Sequence, residues 1–200
     1  MKRLLIATNN AGKVEEFRDL LQGCGWEIIA PSDVNLSIDV EETGATYAEN
    51  ARIKAQAFAR ATDLAAIADD SGLEVDALNG DPGALHHDNG WDGRDQDERI
   101  GILVKALDGV PQEKRTARFR SVIVLAQPGS EPLETEGVCE GNILTRAFGE
   151  NGFGYDPVFY LPELGCTMAQ LTTEQKNGVS HRGIAARKMR SLLQRLAEQD

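Results

Sequence analysis

The chain opens on an apolar run, Leu4-Leu5-Ile6-Ala7, that soon gives way to apolar positions at helical spacing, Val14, Phe17 and Leu21. The continuous run predicts a buried strand and the period that follows predicts a helix. A second strand is expected over 27–30. A long helix is expected over 46–61, with Ala51, Ala55, Phe58 and Ala59 along one face. The run 64–68 reads as a buried strand, and 73–75 as a short strand of its own. An amphipathic helix over 97–107 carries Ile100, Leu103, Val104 and Leu107. Two strand-like runs, 116–126 and 133–142, have no helix between them and are joined by Gln127-Pro128-Gly129-Ser130-Glu131-Pro132, which predicts a hairpin. A Gly-rich stretch at 149–154 and a loop at 172–183 flank the last strand, and 183–198 closes the chain as a helix. Alternating strands and helices with one antiparallel hairpin imply an α/β fold: a mixed central sheet with flanking helices.

Composition narrows the class without naming a function. Two hundred residues suit one sizeable domain or two small lobes. No apolar run approaches the roughly 20 residues of a membrane span, and the start of the chain runs straight into a strand, so neither a membrane partner nor a signal peptide is expected. Cys24, Cys139 and Cys166 are odd in number and lack metal-ligand spacing, which suits a reduced, cytoplasmic setting. The net charge of −11 argues against a nucleic-acid partner, which calls for a basic footprint. Against that acidic background, 176–195 holds six basic residues and no acidic one. Arg187, Lys188, Arg190 and Arg195 read as the solvated face of the last helix. Lys176 and Arg182 are expected before it, in a loop able to meet a small anion.

Four segments carry candidate chemistry. The first is Thr8-Asn9-Asn10-Ala11-Gly12-Lys13, between the first strand and its helix. A helix N-terminus and loop amides favour negative charge there, and Lys13 adds a full positive charge. The loop lacks the glycines and the Ser/Thr of a Walker A element, and its small polar residues also serve as ordinary caps and turns. The second is Ala68-Asp69-Asp70-Ser71-Gly72, two adjacent carboxylates at a strand end. They need a cation or donors, and Mg²⁺ is the natural cation because it takes one or two carboxylates and leaves room for phosphate and water. A capped polar turn accounts for them equally well. Adjacent side chains on an extended segment point to opposite sides, so one carboxylate can face a site while the other serves structure. The third, Glu41-Glu42-Thr43-Gly44, precedes the long helix, where carboxylates suit any helix start, and it can share a metal with Asp70. The fourth, Gly152-Phe153-Gly154-Tyr155-Asp156-Pro157, exposes a ring between glycines, which suits stacking a base. Asp156 there is placed to accept from a ring N–H. Lys176-Asn177 and Ser180-His181-Arg182-Gly183 offer donors for a base carbonyl and charge for phosphate. Together these pieces describe a nucleotide site.

These motifs, with Glu49-Asn50-Ala51 and Lys54, resemble in order and spacing those of the inosine triphosphate pyrophosphatase family, the XTP/dITP diphosphatases, over nearly the whole chain. The resemblance implies one nucleoside triphosphate pyrophosphatase domain over 1–200, with two lobes around a nucleotide cleft, and a homodimer. It implies Mg²⁺-dependent cleavage of ITP, dITP or XTP to the monophosphate and pyrophosphate. By the same analogy Thr8, Asn9, Asn10, Ala11, Gly12 and Lys13 hold the triphosphate, with Lys54 as a second charge partner. Asp70 binds the metal and takes the proton of the attacking water, Glu41 is a second metal ligand, and Ser71 contacts substrate. Phe153, Gly154, Tyr155 and Asp156 enclose the base, and Lys176, His181 and Arg182 complete its pocket. Attack of water on the α-phosphorus needs positioning and charge neutralisation more than covalent chemistry, which these residue types supply. One departure stands out. After Asp81-Pro82-Gly83 the family carries a basic residue near the phosphates, where this chain has Ala84-Leu85-His86-His87-Asp88-Asn89-Gly90-Trp91-Asp92. Either His86 or His87 replaces that charge, with pH dependence, or the contact is missing. A related pyrophosphatase for other nucleotides, and a nucleotide-binding regulator without turnover, are the alternatives.

Overall fold

The first strand, β1 (Arg3–Ile6), is buried at Leu4, Leu5 and Ile6 and pairs in parallel with β2 (Glu27–Ile29), through Arg3 opposite Glu27. Between them lies α1 (Ala11–Leu20), whose Val14, Phe17 and Leu20 face inward. In α2 (Tyr47–Thr62) a capping box opens the helix: Thr46 accepts from the Glu49 backbone N–H while the Glu49 carboxylate accepts from that of Thr46. The coordinates are a computed structural model that describes residues 2–84, 91 and 95–199. His86, His87 and most of the unusual loop after Gly83 lie outside the described residues.

The next strand differs from expectation. Residues 64–68 and 73–75 do not form two strands; β3 runs unbroken from Ala65–Val75, with Asp69, Asp70, Ser71 and Gly72 in its middle. Polar and turn-prone residues survive there because each charged side chain finds an opposite charge, as described below. β1 pairs with β3 in parallel, Leu4 opposite Ala65. Then come α3 (Gln96–Ala106), β4 (Thr116–Ala126), β5 (Leu133–Ile143), β6 (Phe159–Leu161) and β7 (Cys166–Thr167). The sheet order is β2-β1-β3-β4-β5-β6-β7, with parallel pairs around β1 and antiparallel ones at β5–β6 and β6–β7. The expected mixed sheet is thus present. The stretch 172–183 is not a loop, however. Thr172 caps a short helix, α4 (Thr173–Val179), so Lys176 is helical. The last helix, α5 (His181–Glu198), begins at His181 rather than Gly183, so Arg182 lies in its first turn.

The chain divides into two compact units, each with its own core. The first holds the described residues of 1–71, 121–137 and 182–200. Its core joins Leu4 and Ile6 of β1, Phe17 of α1, Ile67 of β3, Ile123 and Leu125 of β4, and Met189 and Leu193 of α5. Complete burial of Phe17, Met189 and Leu193 contributes about 1.5–3 kcal/mol each. The Trp26 indole donates to the Leu193 carbonyl at 2.9 Å, fastening the segment before β2 to α5. The second unit holds the described residues of 72–120 and 138–181. Its core joins Leu73 and Val75 of β3, Leu103 and Leu107 from α3 and its end, Phe119 of β4 and Phe159 of β6. Among the described residues no helix is long and apolar enough to cross a membrane.

Candidate active site

Strand geometry decides what the paired carboxylates do. Side chains alternate along β3, and Asp69 and Asp70 have different neighbours. Asp69 is 4% exposed and accepts from the Lys13 ammonium at 3.1 Å through Oδ1 and from Arg182 Nε at 3.0 Å through Oδ2. Burial acts to raise its pKa, but the charges of Lys13, Arg182 and Lys54 outweigh it and hold the carboxyl well below the usual carboxylate range. Arg182 is itself buried. Its Nη1 donates to Glu16 at 2.9 Å and its Nη2 to Ser71 Oγ at 3.2 Å. Ser71, two residues from Asp69 on the strand, therefore shares its guanidinium partner.

Asp70 meets a different set. Lys54 of α2 donates to Asp70 at 3.4 Å and to Glu42 at 3.0 Å. Burial raises the Asp70 pKa; Lys54 opposes that, the charges of Glu42 and Asp69 add to it, and a hydrogen bond from Asn50 lowers it. Burial works to lower the Lys54 pKa, yet Asp70, Asp69 and Glu42 together raise it. Asn50 also accepts the Gly44 backbone N–H at 2.8 Å. Gly44 sits so close that an added Cβ would stand 2.6 Å from Glu49 Cβ and 2.7 Å from Asn50 Oδ1. The glycine thus lets the loop 41–44 lie against α2 with Glu42 in reach of Lys54. Glu41 is exposed on the same loop.

The loop before α1 is a capped helix start. Asn10 caps the helix, accepting from the Lys13 backbone N–H at 3.2 Å, and Thr8 Oγ1 accepts from the Asn10 N–H at 3.2 Å. Asn9 donates to the Ile38 carbonyl at 2.9 Å, tying the loop to the chain ahead of Glu41. Ala11 and Gly12, both exposed, occupy the first two helical positions, where backbone N–H groups lack intrahelical partners. A helix N-terminus with a lysine in its first turn suits phosphate.

In the second unit, Asp156 is 3% exposed and its Oδ2 accepts the Phe153 backbone N–H at 3.0 Å and the Lys176 ammonium. Lys176 Nζ also stands 4.6 Å from the centre of the Phe153 ring, which is exposed. Gly152 and Gly154 turn the loop at φ +77° and +62°, in the left-handed region that favours glycine. Tyr155 packs against the second core, and His181 is buried with its ring stacked on Phe119 at 4.8 Å. Phe153, Asp156 and Lys176 therefore converge as the sequence suggested, while the His181 ring is held by the core.

The sequence pattern of the Ham1 family matches residues 4–192. The chain belongs to the Ham1 family. It is 47% identical over 194 residues to the dITP/XTP pyrophosphatase of Desulforamulus reducens, covering 97% of this chain and 96% of that protein. Among solved structures it is similar to the Ham1 protein of Staphylococcus aureus, with TM-score 0.87 and 40% identity over 98% of this chain and all of that one. The HAM1 protein of Coxiella burnetii has TM-score 0.88 at 38% identity, with the same coverage. These full-length likenesses agree with the family that the motifs indicated.

Two residues of this Ham1 chain, Asn50 and Glu16, have contacts at the site that the sequence assigns to neither. Asn50 lies in the buried stripe of α2 beside Tyr47 and Ala51, and a polar residue at a stripe position was the available signal. The sequence offers Glu41 or Glu42 as a companion of Asp70, and only the fold reveals which of the two adjacent carboxylates reaches Lys54. Glu16 looks like any exposed-face helix residue until Arg182, far along the chain, is placed against it.

Proposed function

We propose that this Ham1 protein hydrolyses dITP, XTP and ITP to the monophosphate and pyrophosphate. The observation that carries the reading is the sorting of charge across β3: Asp69 neutralised by Lys13 and Arg182, Asp70 left with Lys54 as counter-charge beside Glu42. The relatives named dITP/XTP pyrophosphatases support the substrate class.

In this reading the amides at 11–12, the side chains of Thr8, Asn9 and Asn10 and the Lys13 ammonium bind the triphosphate, with Lys54 as a second cation. Ser71 contacts the substrate beside them. Asp70 accepts a proton from the water that attacks the α-phosphorus. The bond from that phosphorus to the bridging oxygen breaks, and pyrophosphate leaves with the electron pair. A carboxyl raised by burial toward the working pH is suited to that proton transfer. The residues also fit Mg²⁺. Asp70, with Glu41 or Glu42, offers hard oxygen donors at a spot where negative charge is in excess. Among the described residues no group of three or more His, Cys, Asp or Glu is placed to hold a metal ion by itself. Bound there, Mg²⁺ would neutralise phosphate charge and orient the reacting groups. Phe153 stacks the base, and Gly154, Tyr155, Asp156, Lys176 and His181 shape its recognition, whereas Arg182, buried against Asp69, Glu16 and Ser71, anchors the triphosphate side instead. Donors facing a 6-keto oxygen would be left unpaired by an adenine amino group, costing about 1–3 kcal/mol each.

The test is a panel of dITP, XTP, ITP, GTP and ATP with and without Mg²⁺, read for pyrophosphate against orthophosphate. Pyrophosphate from the first three, and a fall of about 10²–10⁴ in Asp70→Asn, is expected. Orthophosphate release, or equal rates on ATP and ITP, overturns the reading; saturable binding without turnover favours a regulator. The homodimer and cytoplasmic setting belong to the same proposal, and light scattering of the purified chain tests the dimer.

A further inference from the structure

Asp69 is a buried carboxylate that the proposed hydrolysis leaves without a task. Its two oxygens are divided between cations from opposite ends of the chain, Lys13 in the first turn of α1 and Arg182 in the first turn of α5. The side chains of Asp69 and Arg182 are each 2% exposed, whereas that of Lys13 is 26% exposed. Glu16 on α1 holds the far side of the guanidinium and Ser71 a third position. Charges thus alternate along one line of contacts: Glu16, Arg182, Asp69, Lys13. The middle of the line, Arg182 and Asp69, is sealed, and the line reaches solvent most at Lys13, at the end of the loop 8–13.

We propose that Asp69 is a positioning residue that holds the Lys13 ammonium in place for the polyphosphate, with Arg182 as its anchor. This rests on the reading that Lys13 meets the triphosphate. A lysine is a point charge on a flexible four-carbon stem, with three donors on its nitrogen. One donor on Asp69 Oδ1 fixes the nitrogen and leaves two for phosphate oxygens. The anchor matters because an unbraced carboxylate would follow the lysine into any of its rotamers, whereas Asp69 is also bonded to Arg182, which two further partners hold. Asp69 is therefore assigned neither to the metal nor to the proton transfer, which fall to its neighbour on the opposite side of β3.

Calorimetric binding of inorganic tripolyphosphate, without metal, tests the assignment apart from turnover. Wild type, Asp69→Asn, Lys13→Met and the double variant are compared at one pH and ionic strength. Asp69→Asn is expected to weaken binding about tenfold, the scale of one charge-assisted contact, and to have no further effect once Lys13 is Met. Equal losses in both backgrounds, unchanged affinity in Asp69→Asn, or no binding by wild type overturns the proposal. Where Asp69→Asn does not fold, Lys13→Arg answers the question. Arginine keeps the charge but carries it on a longer planar group, so affinity falls toward that of Lys13→Met; wild-type affinity overturns the proposal. In turnover of dITP, Asp69→Asn is expected to raise KM about tenfold while kcat changes little. A collapse of kcat with unchanged tripolyphosphate affinity would place Asp69 in the chemistry instead. Absence of pyrophosphate release by wild type refutes the hydrolytic reading alone, and the binding test still stands.

Discussion

Replacing Arg182 by methionine isolates the energetics of the buried charge line. Methionine keeps much of the apolar stem and removes the donors to Asp69, Glu16 and Ser71. Breaking a buried pair by removing one partner typically costs about 3–5 kcal/mol. Asp69 keeps Lys13 at 3.1 Å, which places its share near the lower end, at about 3 kcal/mol. Glu16, its side chain 18% exposed, recovers some hydration, so it and Ser71 add about 0.5–1 kcal/mol each. The expected loss is therefore about 4–5 kcal/mol, a large part of the 5–15 kcal/mol typical of a whole protein. For a chain of this length that lowers Tm by about 8–20 °C. Urea and thermal unfolding at pH 7, followed by the fluorescence of Trp26 and Trp91, measure it. The sign with pH also follows. Asp69 is held below its ordinary value near 3.8, so its stabilisation is complete above that value and is lost as pH falls through the folded one. The gap between wild type and Arg182→Met should stay constant from pH 6 to 8 and narrow below about pH 4. Adding Asp69→Leu to Arg182→Met removes the stranded charge and should recover half of the loss or more. A single-variant loss under about 1 kcal/mol, or no recovery in the double variant, refutes the charge argument.

Other expectations follow from the same geometry. Lys54→Met removes the cation that opposes burial at Asp70, so the carboxyl protonates at higher pH and the acid limb of the kcat/KM profile for dITP should move upward; an unmoved limb removes Asp70 as the titrating base. Gly152→Ala puts a Cβ 2.0 Å from Asp156 Oδ2 at a backbone φ of +77°, which should displace the carboxylate from Lys176 and Phe153. A rise in KM for dITP of at least tenfold, at a Tm within a few degrees of wild type, is the expected outcome, and an unchanged KM counts against the role of that loop.

Much of the fold was legible because local signals and tertiary packing agree. The apolar runs of β1 and β4, the stripe of α2 and the turn between β4 and β5 each carry a period or a breaker that needs no distant partner. The sequence predicts two strands where β3 is one, because Asp69-Asp70-Ser71-Gly72 has the local chemistry of a turn. The cations that keep it extended come from α1, α2 and α5, and no window around residue 70 contains them. α5 begins two residues before the expected Gly183 for a similar reason: Gly183 marks a break locally, while His181 and Arg182 are fixed in the helix by Phe119 and Asp69. Among site residues, the motifs marked the loop 8–13, Lys54 and Asp70, whose roles depend on residue type. They include Asn50 without giving it a role and are silent on Glu16, because both act only through what they touch.

The chain passes from one unit to the other within β3, β4 and β5, and again between His181 and Arg182. Neither core is therefore encoded by a contiguous stretch of gene. A recombination breakpoint placed anywhere from 72 to 181 splits the coding of the first core, and no single excised fragment carries the whole of one core without part of the other. Proteins of this plan cannot donate half of themselves as a cassette to another gene, and their lineage is expected to change by substitution and loop insertion rather than by exchange of parts.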